Sequence, residues 1–465
     1  MTVEFVGIAA LLIGILSLYY QQSFIVYVFL CATLLGAAAA FVLTDLGGTN
    51  ISPAHLLLCF LVLRLFHTPE IQENAIRGLS FGRPGSWFLL TVIYSTITAY
   101  VMPRIFAGQT MIFAVRAQGS LSVPLTPAMS NLTQSIYFIG DLVCFVAIYG
   151  FASTRNGHRV LGKAAIACAT VNLIFAALDI ATYLTNTADL FAPIRNANYS
   201  MLNDSEIAGF KRIVGSFTEA SAFGAMTLGY FAFTGKLWLL GVYPRLSGFL
   251  ALLSLMALVF STSTTAYVGV SVLLFLCYLE TLMQALRRPI TRYMTVFLVG
   301  APLIGSLSII AIALNDAYSS YIMSLLDTMV LNKMSTDSGV ERSSWNRQAM
   351  QNFIDTFGFG AGNGSVRASS ILFNIPASLG VVGTLLFGLF LANVFLGRPK
   401  GLQFDRVDDG FRQAAKYACL AWFISAATSG AVIDLGLPFF AFAAFACAKP
   451  ARMKVDKFPV FQNSG

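Results

Sequence analysis

The sequence predicts an all-α fold, a polytopic membrane helix bundle of about 12–13 transmembrane helices. Three observations predict it. Only 11% of the 465 residues are charged and 57% are hydrophobic, whereas a soluble globular chain carries roughly 25% charged residues. The apolar residues form continuous runs of span length, not the alternating segments of about 10 residues that an outer-membrane barrel requires. From residue 153 onward, Lys and Arg gather in every second loop between these runs, as the positive-inside rule demands. Together these features exclude a soluble multidomain enzyme, a disordered chain, collagen and a coiled coil.

A helix of about 20 apolar residues crosses roughly 30 Å of hydrocarbon. Runs of this kind fall at 4–20, 24–43, 53–66, 87–102, 132–152, 160–184, 220–239, 246–260, 266–285, 293–314, 370–396, 413–428 and 432–448. The run at 53–66 is short for a span. No basic segment with a cleavage site precedes the first run, so it is expected to be retained. No extramembrane stretch is large enough for a separate domain, so residues 1–465 read as a single transmembrane domain. All seven cysteines lie inside apolar runs, with no CxxC, and read as packing residues.

Charge orients the bundle. Arg155, His158, Arg159 and Lys163 follow the fifth run; Lys236 and Arg245 flank a later turn, and Arg287, Arg288 and Arg292 another. Arg398, Lys400, Arg406 and Arg412 come next, then Lys449, Arg452, Lys454 and Lys457 in the tail 449–465. These sets occupy alternate loops, so they share one face, expected to be cytoplasmic. The formal net charge of +8 is this excess, not a sign of nucleic-acid binding. Two long loops then lie outside, 185–219 and 315–369.

Both long loops carry cations beyond what orientation requires. In the first, Asn203 and Glu206 have N-cap and N3 spacing, which predicts a short helix bearing Lys211 and Arg212. Glu219 stands where the next run enters the membrane. Arg212 and Glu219 could bind and activate a polar substrate, or else contact headgroups and water. In the second, Trp345, Ala349 and Phe353 recur at helical spacing, predicting an amphipathic helix on the outer membrane surface with Trp345 as an interfacial anchor. Gly358, Gly360, Gly362 and Gly364 follow at alternate positions, a backbone able to approach an anion, and Arg367 closes the loop. Arginines beside such a backbone suit phosphate or pyrophosphate; headgroup contact and a flexible linker are the alternative. No nucleotide fingerprint is present. Inside the runs, Asp141, Asp179 and Asp434 are costly and face either a cavity or a partner. The histidines His55, His67 and His158 lie outside both long loops, which argues against an external metal site.

This layout resembles the bacterial polysaccharide polymerase and O-antigen ligase superfamily. The likeness covers roughly residues 200–450. Lys211–Gly224 (KRIVGSFTEASAFG) is similar to an Arg-then-Gly-Phe-x-Glu segment, and Ser261–Ala266 (STSTTA) to a small-hydroxyl motif between two later spans. Glu341–Gly364 resembles an Arg-x-x-x-Trp helix followed by a Gly-rich turn. The ligase branch carries a His nine residues and one polar position before Gly-x-x-Gly; here Ser369 and Ser370 precede Gly380 and Gly383. Thr264 also stands where the small-hydroxyl motif often has Arg. The missing His favours the Wzy-type polymerase branch.

The resemblance implies a bacterial inner-membrane glycosyltransferase with its C-terminus in the cytoplasm and both long loops in the periplasm. It would transfer a growing glycan from undecaprenyl diphosphate to a lipid-linked repeat unit, building an O-antigen or exopolysaccharide. The implied partners are the undecaprenyl-diphosphate-linked oligosaccharide, membrane lipids and, in some members, a chain-length regulator. No cofactor or metal is expected, because arginines would supply the positive charge. Arg212 and Glu219 are the catalytic candidates. Arg342, Arg347, Arg367, Trp345 and Gly362 are the substrate-binding candidates, with Tyr199 a further stacking residue. A ligase is the nearest alternative, and a secondary transporter or glycan exporter using the three aspartates is another.

Overall fold

The computed structural model describes residues 2–43, 48–115, 121–198, 201–202, 206–207, 210–315, 319–320, 337–397 and 405–449. Tyr199, Asn203, Arg398, Lys400 and nearly all of the tail 449–465 therefore lie outside the described residues.

Strand β1 (Thr2–Val3) leads into α1 (Phe5–Tyr19), and α2 (Gln22–Ala32) returns. Strands β2 (Phe41–Leu43) and β3 (Thr49–Ile51) complete a three-stranded antiparallel sheet with β1 in the order β1–β2–β3. Ser52 caps α3 (Pro53–Leu65) by accepting from the His55 N–H, with Pro53 at the first helical position. Helix α4 (Pro69–Gly78) leaves α3 at an angle of 115°. Then come α5 (Pro84–Ile105), the short pair β4 (Met111–Ile112) and β5 (Val123–Pro124), α6 (Met129–Ala152) and α7 (Gly157–Leu184). A 3-10 turn at Ala188–Ile194 and the pair β6 (Glu206–Ile207) and β7 (Phe210–Lys211) form the first long loop. Helices α8 (Ala220–Leu239), α9 (Pro244–Phe260), α10 (Thr264–Ala285) and α11 (Arg292–Ala313) follow. The second loop holds α12 (Asp337–Asp355), and the chain ends in α13 (Ile371–Leu396), α14 (Arg406–Ser429) and α15 (Gly436–Cys447).

The chain is an all-α polytopic bundle. Among the described residues, six helices are long and apolar enough to cross a membrane, or seven if the bent pair α3–α4 is one span. The expected 12–13 also included four shorter apolar helices, α1, α2, α9 and α15, and the long but more polar α8 and α14.

Two local expectations are corrected. The run 24–43 is not one helix. It unwinds after Ala32, and residues 34–40 run as irregular chain that is buried except at Leu35 and Gly36. Such backbone survives at depth only where protein satisfies it. Here Ala37 N–H donates to Ser216 O (3.0 Å), Ala39 N–H to Asn196 Oδ1 (2.9 Å) and Ala40 N–H to Ile51 O (2.7 Å). Gly36 is needed because a Cβ there would lie 2.5 Å from the Phe217 ring. The short helix expected around 203–212 is instead the hairpin β6–β7, pairing Glu206 with Lys211 and Ile207 with Phe210. Branched and aromatic side chains suit that extended pairing.

Small residues let the helices close on one another. Gly229 of α8 forms a notch for Trp422 of α14, since a Cβ would sit 2.1 Å from the indole. Gly162 of α7 does the same for Phe411. The core includes a phenylalanine stack in which Phe88 lies 4.5 Å from Phe440 and 4.7 Å from Phe390, nearly parallel to the first.

Polar contacts tie the loops into two opposite ends. At the basic end, Arg159 at the start of α7 pairs with Asp405 (2.8 Å), Arg406 donates to Leu240 O (3.2 Å), and Thr291 donates to Leu239 O (2.5 Å). The loop end gathers both long loops. There Asn196 donates to Glu4 (3.1 Å), and Asn131 at the start of α6 donates to Asn363 O (2.7 Å).

Candidate functional site

Asp179, near the loop-end terminus of α7, is 1% exposed and organises the first long loop. One carboxylate oxygen accepts from Arg195 (2.7 Å) and Lys211 (3.0 Å). The other accepts from the backbone N–H groups of Val214 (2.8 Å) and Gly215 (3.0 Å). Arg195 also donates to the Gly215 carbonyl and stacks over Phe191. This aspartate is therefore a loop anchor. Asp141, by contrast, is buried in α6 beside Asp434.

Extended backbone at β7 sends neighbouring side chains to opposite sides. Lys211 reaches Asp179, and Arg212 reaches the turn between α9 and α10. There Arg212 Nε donates to Thr262 Oγ1 and Nη2 to Thr262 O, both at 3.2 Å. Thr262 has φ +45°, a left-handed conformation that a β-branched residue rarely adopts. Its strain is of the kind that persists where surrounding contacts over-determine it. Glu219 stands at the N-cap position of α8, and its carboxylate accepts from the Ser221 hydroxyl, not from the helix backbone. The packing is close here: a Cβ on Gly224 would touch Ala266 at 3.0 Å. Burial lowers the Arg212 pKa from the ordinary guanidinium value, and the nearby Glu219 and Tyr267 raise it in part. Arginine remains a cation throughout the physiological range. Arg212, Glu219 and the STSTTA turn thus form one half-buried group.

In the second loop, α12 turns Trp345, Ala349 and Asn352 inward, one helical face. Trp345 is only 9% exposed. It lies beneath Arg367, whose guanidinium carbon is 4.0 Å from the ring centroid. The expectation of an interfacial tryptophan anchor is therefore corrected: Trp345 is a platform inside the protein. Exposed Met350, Ile354 and Phe357 form the outward apolar face instead. Burial lowers the Arg367 pKa, nearby Glu341 raises it, and nearby Arg342 lowers it again, which places all three charges in one neighbourhood. Asn346 accepts from the Ser369 N–H (2.8 Å), fixing the position that carries His in the ligase pattern.

The glycine run packs backbone against backbone. Gly362 N–H donates to Ser378 O (3.0 Å), and a Cβ there would meet Thr98 O at 2.7 Å. Gly360 abuts the kink of α13 at Gly380 (φ +64°). Gly362 therefore offers no free N–H to an anion.

No protein-family profile matches this chain, and no curated protein matches it either.

The structure brings together Arg212 with Glu219, and Arg342 with Trp345 and Arg367. The α14–α15 turn joins the second group to the bundle, with Asn374 donating to Ala431 O (2.8 Å) and Ala368 N–H to the same oxygen (3.4 Å). Arg347 is not part of either group; it is exposed on the face of α12 opposite Trp345. Among the described residues, no cluster of three His, Cys, Asp or Glu could hold a metal. Sequence reasoning missed Arg195, and it reached Thr262 only as part of the STSTTA motif and Asn346 only as a neighbour of Arg342 on one helical face. Arg195 had a visible signal, a further cation in an external loop.

Proposed function

We propose that the chain is a polysaccharide polymerase of the bacterial inner membrane. It would extend a glycan by moving it from undecaprenyl diphosphate to a lipid-linked repeat unit at the loop end. The new bond joins the donor's anomeric carbon to an acceptor hydroxyl oxygen, and the anomeric carbon–diphosphate bond breaks. Glu219 takes the acceptor proton. Arg212 stabilises the departing diphosphate, and Arg342 and Arg367 hold donor phosphates or carboxylated sugars. The observation that carries this reading is Arg212, fixed by both oxygens of a strained Thr262 beside a half-buried carboxylate, at the end opposite the basic loops. A cation held this way is preorganised for a dianionic leaving group.

The test is incubation of purified protein with a lipid-linked repeat unit, with products resolved by size. A ladder is the expected result. Arg212→Ala should lower the rate about 100-fold or more, the usual cost of removing a preorganised donor. Glu219→Gln should lower turnover while leaving substrate affinity within about twofold. Transfer of one block to a separate acceptor would instead make the protein a ligase, and no transfer at all would refute both.

A further inference from the structure

A second site lies at the opposite, basic end. Helices α10, α13 and α14 enclose a cleft of about 890 Å³, within the size range of small-molecule sites. Its charges are unequal. Glu280 is held by Lys236 (2.6 Å) and by Gln284 (2.8 Å). Asp409 is held by Arg412 (2.7 Å) and Gln413 (2.7 Å). Both carboxylates are thus neutralised within the protein. Arg287 and Arg288, just past the end of α10, line the same cleft with no side-chain partner among the described residues. Lys416 adds a third cation to the lining, and its ammonium donates to the Gly397 carbonyl.

The other walls are apolar. Leu396 and Met283 line the cleft and are 78% and 51% exposed, so its rim opens sideways onto the surface that faces hydrocarbon. Phe395 and Leu420 continue the apolar wall inward. A free phosphate would use the cations and leave this wall wet. A phosphate bearing acyl chains would use both.

We propose that this cleft binds the phosphodiester headgroup of an anionic phospholipid, with its chains along α10 and α13. Basic pockets between membrane helices recognise such headgroups on general electrostatic grounds. The site is independent of the polymerase reading, since it lies at the other end and shares no residue with it.

The test uses the full chain in detergent and native mass spectrometry with added phosphatidylglycerol, phosphatidylcholine or inorganic phosphate. Wild-type protein should retain phosphatidylglycerol in preference to phosphatidylcholine. Arg287→Ala with Arg288→Ala should weaken that retention about 25-fold, the loss of two near-surface cations. Met283→Glu, which places a carboxylate in the apolar wall, should weaken it as well. Arg287 and Arg288 are exposed and have no side-chain partner among the described residues, so folding of the double variant should be unaffected, and an unchanged thermal transition checks this. Equal retention by wild type and both variants would overturn the site. Equal competition by inorganic phosphate would overturn the lipid as its ligand.

Discussion

Removing the charge of Asp179 would leave Arg195 and Lys211, both nearly buried, without their carboxylate. Breaking a buried pair from one side costs about 3–5 kcal/mol, because an uncompensated charge remains. Asp179→Asn is therefore expected to lower the thermal transition in detergent and to expose the first loop to protease. An unchanged transition would remove Asp179 as the loop's anchor. Thr262 gives a separate test of strain. Glycine adopts a positive φ without penalty, so Thr262→Gly should stabilise the turn by about 1 kcal/mol. It also deletes the hydroxyl that receives Arg212, so under the proposed function polymer yield should fall while stability rises. A rise in both would mean that the strained conformation does not serve Arg212. Neither residue's role was legible in the sequence. A positive φ leaves no local signature at a threonine, and Asp179 meets its partners 16 to 36 positions away. The arginines were legible, because a cation in an outer loop stands apart from the orientation pattern.

At the scale of elements, nearly every apolar run became a helix with boundaries within a few residues. Composition alone sufficed there, since hydrocarbon demands an intrasegment hydrogen-bond ladder. It failed at 33–40, where Leu, Gly and Ala are as apolar as any span but pack inside protein and need no ladder. It failed again at the glycine run, which was legible as an unusual backbone but not as to its neighbour. The neighbour is protein. Gly364 (φ +81°) has Ser130 O only 2.4 Å from where a Cβ would stand, whereas at Gly358 (φ +78°) the nearest atom is 3.5 Å away. Gly358→Ala should then cost about 1–2 kcal/mol from the left-handed conformation alone. Gly364→Ala should add about 1–3 kcal/mol of overpacking and loosen the α6–loop contact. Urea or thermal titration of the two variants checks the order. If the two were equal, the glycine run would not be held by packing against α6.

For the whole molecule, the decisive property is polarity between its ends. Contacts from α7, α8, α11 and α14 converge on one end, where Arg159, Arg406 and Thr291 tie alternate loops together. Contacts from α1, α6, α9 and α10 meet the two long loops at the other. By the positive-inside rule the basic end is expected to face the cytoplasm. Two exposed positions test this assignment at little structural cost, Arg347 on the outer face of α12 and Asn156 between α6 and α7. In intact cells, Arg347→Cys should react with a membrane-impermeant maleimide, and Asn156→Cys should react only after the membrane is permeabilised. The native cysteines lie within helices that the bilayer would shield, and of the seven only Cys59 is exposed, so the parent chain supplies the background. Labelling in the reverse pattern would put the Arg212 and Arg367 groups on the cytoplasmic side. It would exclude a polymerase fed by periplasmic lipid-linked units, whatever the local geometry of those arginines.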